Sequence, residues 1–212
     1  MKGLLTKDFA LLGQRKRVFL FLCAWAVVMC WSMQDSSFTI GWMTMIAAFF
    51  SISSLTYDEY DNCFPFLMSL PISAKLYVRE KFLFGFLCGF AAWLFSMLVA
   101  VIFAAVQGGG SDSLSELAQL AIFIPVFMLL IDISLPIHLK YGSEHGRIIV
   151  LIVWGVAIVG IFIADRLFHT DFSPLAGAVA SPLAIPAAFV LSAALTALSL
   201  RLCTRIMQRK EF

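Results

Sequence analysis

The chain has 212 residues, 61% of them hydrophobic and only 13% charged, where a soluble domain carries about 25% charge. So few polar side chains cannot cover a water-facing surface, which excludes a soluble globular protein and leaves an integral membrane protein. The net charge of +2 marks no nucleic-acid partner, and the placement of the charges is more informative than their sum.

The chain opens with MKGLLTKDFALLGQRKRVF, a short apolar stretch followed by a basic cluster and a long apolar run without a small-residue cleavage site. That first long run is therefore expected to stay as an anchor. On a helical wheel Leu4, Leu5, Phe9, Leu11 and Leu12 fall within an arc of about 160°, with Lys7 and Gln14 opposite and Asp8 intruding on the apolar side. The pattern predicts an amphipathic helix within residues 1–17, lying along the membrane interface with its apolar face in the lipid.

Six continuous apolar runs follow, near 18–33, 38–55, 82–106, 117–139, 148–164 and 182–202. A hydrocarbon core about 30 Å thick takes about 20 residues of helix, and the runs lack the alternation of barrel strands. The expected fold is all-α and polytopic: six transmembrane helices forming one membrane domain over 18–203, then a tail over 204–212. Lys2, Lys7, Arg15, Lys16 and Arg17 precede the first run, and Lys75, Arg79 and Lys81 lie between the second and third. Lys140 and Arg147 lie between the fourth and fifth, and Arg201, Arg205, Arg209 and Lys210 end the chain. Only Arg166 falls on the other side, so both termini are expected to be cytoplasmic.

The segments on the far side are short. QGGGSDS at 107–113 reads as a flexible linker. The stretch 166–181 is apolar, rich in small residues and broken by Pro174, a composition able to re-enter the membrane where protein shields its backbone.

No phosphate loop, HExxH or GxSxG occurs, and His138, His145 and His169 are not at metal-ligand spacing. Five cysteines form no CxxC pair and read as small buried thiols. The sequence thus offers no catalytic residue, no metal site and no cofactor site, so any ATP must be bound by another chain. Asp132, inside the fourth run, is a candidate for gating or for structure. The structural reading pairs it with a nearby cytoplasmic cation or a water crevice, and is preferred. Gly85 and Gly89 allow close helix approach, within the chain or between copies, and Pro125 and Pro136 suggest kinks.

The most punctuated stretch is DEYDNCFPFLMSLPISAKLYVREK, at 58–81. Tyr57, Asp58, Glu59, Tyr60 and Asp61 form an acidic helix end, Phe64, Phe66, Leu67 and Met68 an apolar turn, and Leu70-Pro71 a stop. Ser73 is placed to cap the next helix. The expected result is a cytoplasmic knob over 58–72, suited to a groove on a soluble partner.

With these residues the sequence resembles the permease subunits of ATP-binding-cassette exporters, in the second-type exporter superfamily of small bacterial six-span permeases, including exporters of amphipathic peptides. MKGLLTKDF matches their KGLLxKD-like interfacial start. Asp58, Glu59, Leu70, Pro71, Ser73, Lys75, Tyr77, Val78 and Lys81 stand in the register of their second cytoplasmic segment, with Ala74 where a basic residue is common. After the fourth run, Pro136, Lys140, Tyr141, Gly142, Glu144 and Arg147 match a second turn.

The resemblance implies a bacterial inner-membrane permease that pairs with a second copy or a paralogue. Two cytoplasmic ATPase subunits, carrying ATP and Mg, would sit beneath. It also implies ATPase coupling through Asp58, Glu59, Asp61, Phe64, Phe66, Leu67, Leu70 and Pro71. A lesser contact would come from Lys140, Tyr141, Gly142, Glu144 and Arg147. The rival readings are a secondary transporter, which should show repeated half-domains and several buried coupling groups, and a membrane-embedded sensor or immunity protein.

Overall fold

Backbone groups placed in lipid can be satisfied only within the chain, and helices do this segment by segment. The computed structural model describes residues 2–33, 36–59, 72–106, 120–168 and 184–209. These hold helices and no strand. In chain order they are α1 (Lys2–Gln14), α2 (Lys16–Met33), α3 (Ser36–Glu59), α4 (Ala74–Val106), a 3-10 turn (Leu120–Ile122), α5 (Phe123–Phe168) and α6 (Ala184–Arg209).

The local causes of these elements are visible. Arg15 separates α1 from α2, and its carbonyl accepts from the amides of Val18 and Phe19 at 2.9 and 3.2 Å, which starts the second helix at once. Ser73 caps α4: the Leu76 amide donates to its Oγ at 3.3 Å, satisfying one of the donors a helix start leaves open. Pro125 and Pro186 fall in the first turns of α5 and α6, where a missing amide costs little. With 33 residues, α4 is about 50 Å long. It therefore exceeds the hydrocarbon thickness and projects its charged first turns beyond it.

The interruption of α5 lies at Gly142, with φ 81° and ψ 171°, and not at the prolines expected to kink it. A Cβ on Gly146 would stand 3.0 Å from the His138 Cα. Eight residues of straight helix would hold them about 12 Å apart, so the chain reverses at Gly142 and α5 consists of two arms. The broad turn expected over 140–147 contracts to one left-handed residue. Four stretches among the described residues are long and apolar enough to cross a membrane: Ser37–Glu59, Ala74–Phe103, Leu120–Val156 and Ile185–Arg209. The third runs through the break and so includes the start of the second arm. The protein is thus an all-α polytopic membrane protein.

The main core lies at one end of the molecule, where Leu4 of α1, Leu55 of α3, Tyr77 and Phe82 of α4, Leu135 of α5 and Met207 of α6 are buried together. α2 is peripheral, with Leu20 and Trp31 each 72% exposed. Gly89 packs within the chain: a Cβ there would collide with the Phe127 ring, and one on Gly85 would reach Ile131 at 3.0 Å. The GxxxG pair thus seats α5 on α4. Cys30 and Cys203 are buried free thiols, whereas Cys23 and Cys88 are half-exposed, contrary to the expectation of full burial.

Candidate functional site

Two acids end α3, where the carbonyl end of the helix already carries partial negative charge. Asp58 and Glu59 therefore need cations or donors, and the fold supplies them from three other helices. One Asp58 oxygen accepts from Lys7 of α1. The other accepts from the Tyr77 hydroxyl at 2.9 Å and pairs with Lys81 at 2.7 Å, both on α4. The Lys81 ammonium also contacts Asp8 of α1 at 2.5 Å and the Ser54 hydroxyl at 3.1 Å. Its three protons thus meet three acceptors.

Asp8 is fully buried and Asp58 is 3% exposed. Glu80 adds a third buried carboxyl within reach of these charges, beside Asp8. Burial, the largest single influence, pulls the Lys7 pKa down. The hydrogen bond and charge of Asp58, with those of Asp8, outweigh it and leave the ammonium above its ordinary value. Its contribution to stability is therefore present below the ordinary lysine pKa and is lost only as pH rises through the raised one.

This arrangement accounts for the acid that breaks the amphipathic pattern of α1. Asp8 lies on the face that docks onto α3 and α4, one turn from buried Leu4. At Leu4 and Asp8 that face of α1 packs against protein. Phe9 meets Phe84 of α4 edge-on, with ring centroids 5.3 Å apart. Arg15 donates to the Tyr57 hydroxyl.

Glu59 takes a different partner. Its carboxylate accepts from the Ser143 amide, at the N-terminus of the second α5 arm, where an anion is favoured. A Cβ on Gly142 would come within 3.1 Å of the same carboxylate. Glycine is thus required twice, by its positive φ and by this approach. Among the residues expected at the second contact, Lys140, Tyr141, Glu144 and Arg147 are exposed, with the Lys140 ammonium 5.0 Å from the Tyr141 ring centroid. His138 is buried, and its Nδ1 lies 2.9 Å from the Ser134 carbonyl.

Of the eight residues assigned to coupling, two, Asp58 and Glu59, are described, and both belong to this joint. Asp61, Phe64, Phe66, Leu67, Leu70 and Pro71 lie outside the described residues. Lys7, Asp8, Tyr77, Lys81 and Ser143 join the site without having been singled out for it. Asp8 gave a signal as a charge on an apolar face, and Tyr77 and Lys81 gave one through the register of the second cytoplasmic segment.

Asp132 sits apart from the joint. Thr196 of α6 donates to one of its carboxylate oxygens at 2.8 Å, and Ser199 donates to its backbone carbonyl at 2.6 Å. Its other oxygen is buried without a partner. None of the ion pairs among the described residues includes it, so the cation expected beside it is replaced by a hydroxyl. Among the same residues no cluster suited to a metal occurs.

A bundle of long apolar helices whose ends converge on an ionic joint is the architecture of a polytopic membrane protein. The sequence profile of the ABC-2 family transporter proteins matches residues 3–208, and the chain belongs to that family. It is the permease component of an ABC transporter, a kind of protein that works with an ATP-binding subunit. No curated protein and no solved structure matches the chain.

Proposed function

We propose that the chain is half of an ATP-driven exporter of an amphipathic substrate, a peptide being the favoured cargo. Six spans would place both termini in the cytoplasm of a bacterial cell, in the inner membrane. A second copy or a paralogue completes the pathway, and two ATPase subunits with ATP and Mg drive it. Segment 58–72 receives their motion, and Lys140–Arg147 makes a lesser contact.

The observation that supports this reading is the ionic joint at both roots of that segment. Asp58 at its start is tied to Tyr77 and Lys81 just beyond its end. Glu59 is tied to the reversal of α5. A push on segment 58–72 is then shared by α1, α3, α4 and both arms of α5, since buried ion pairs resist separation.

The test is co-expression with a candidate ATP-binding-cassette ATPase subunit from the same organism. Phe66→Ala removes an aromatic that is expected to seat in the ATPase groove. A well-seated aromatic contributes about 2 kcal/mol or more, so copurification of the ATPase should fall about thirtyfold while the permease still inserts. Full association and substrate-stimulated ATP turnover in the variant would remove segment 58–72 from the interface. Substrate movement by the permease alone, driven by an ion gradient, would replace the exporter reading with secondary transport.

A further inference from the structure

Beside the elbow between α1 and α2 lies an apolar groove of about 460 Å³. Its walls include Leu12 of α1, Lys16 of α2, Ala47 and Phe50 of α3, and Cys88 and Ala92 of α4. Among the described residues no carboxylate lines it. The cations beside it differ from those of the joint. Lys7 and Lys81 are neutralised by Asp8 and Asp58. Lys16 and Arg17 are exposed and form no ion pair among the described residues, and Arg15 meets only the neutral Tyr57 hydroxyl. Lys16 thus stands at the wall of an apolar slot with Arg17 next to it in the chain, and neither is neutralised among the described residues.

We propose that this groove holds one acyl chain of an anionic phospholipid, with the lipid phosphate at Lys16 and Arg17. At about 30 Å³ for each water-sized group, the groove has room for about 15 methylenes, the length of one chain. A peptide helix about 10–12 Å across takes about 420–610 Å³ for each turn, so the groove could seat no more than about one turn, and a basic peptide would be repelled by the cations. The proposal depends on the membrane assignment and not on export or cargo. The seated lipid fills the space between α1, α2 and α4 and holds the elbow against the bundle.

The test uses the full-length permease in phosphatidylcholine vesicles carrying a trace of spin-labelled phosphatidylglycerol or spin-labelled phosphatidylcholine. Electron paramagnetic resonance reads the motionally restricted fraction of each. The wild type should restrict phosphatidylglycerol preferentially. Lys16→Gln should lower that preference about fivefold, the effect of one cation near a headgroup at about 1 kcal/mol. Ala92→Phe keeps every charge and fills the slot, and should abolish the preference.

A second readout needs no variant: phosphatidylglycerol, and not phosphatidylcholine, should slow alkylation of Cys88, followed by peptide mass spectrometry. Equal restriction of both lipids by the wild type would overturn the proposal, as would a preference that survives Ala92→Phe. Protection of Cys88 by a synthetic amphipathic helical peptide, with none from phosphatidylglycerol, would make the groove a cargo site instead.

Discussion

Replacing Lys81 by methionine keeps most of the side-chain volume and removes the ammonium that faces Asp8 at 2.5 Å, Asp58 at 2.7 Å and Ser54 at 3.1 Å. Lys7 still pairs with Asp58 and lies 3.3 Å from Asp8, so one cation would serve two buried acids. Breaking a buried pair by deleting one partner costs about 3–5 kcal/mol, because the remaining charge is left uncompensated. For a chain of this length each kcal/mol moves the midpoint by about 2–4 °C, so Lys81→Met should lower the melting temperature in detergent by about 6–20 °C. Adding Asp8→Asn removes the orphaned acid and leaves the Lys7–Asp58 pair balanced. The double variant should regain about 1–3 kcal/mol, a coupling of the size seen between residues in one network. Fluorescence-detected size-exclusion after a temperature series reads both. A single variant that melts within 2 °C or so of the wild type, on the scale above, would refute the joint, as would strictly additive losses in the double variant.

Gly142→Ala should cost about 1–2 kcal/mol from its left-handed backbone alone and more from crowding Glu59. If α5 reverses there, the same assay will show the loss, whereas Gly155→Ala, with open space around it, should be neutral. Thr196→Val strips the one side-chain donor from buried Asp132 and should destabilise by about 1–3 kcal/mol. Asp132→Asn keeps an oxygen for Thr196 and sheds an unpaired charge, so it should leave stability and transport near wild type. Near-complete loss of transport in a well-expressed Asp132→Asn variant would assign the residue to gating. Gly89→Leu should cost about 1–3 kcal/mol by overpacking, and Phe127→Ala introduced with it should recover part of that loss. The absence of rescue would place the Gly85–Gly89 face between copies.

The class of the protein was open to direct reading because it depends on quantities summed along the chain. Twenty-odd apolar residues at a time decide that a helix enters lipid, and no tertiary partner is needed for that decision. The Ser73 cap was legible for a similar reason: a hydroxyl three residues before an open amide acts locally. The kink was not. Pro136 carries the stronger general signal, yet the reversal falls at Gly142, because only there does a glutamate from α3 bond the amide that starts the next arm.

By itself, then, the sequence determined an apolar, helical, membrane-bound chain, since entry into lipid follows from composition and order. It also marked 58–81 as the segment unlike the rest. Only the tertiary structure decided what Asp58 faces. Asp58 reads as a surface acid at a helix end, but Lys7 and Lys81 come to it from 51 positions before and 23 after. Nothing local specifies such a meeting. It follows from which helices lie side by side, and a charge buried there is stable only because both partners arrive together.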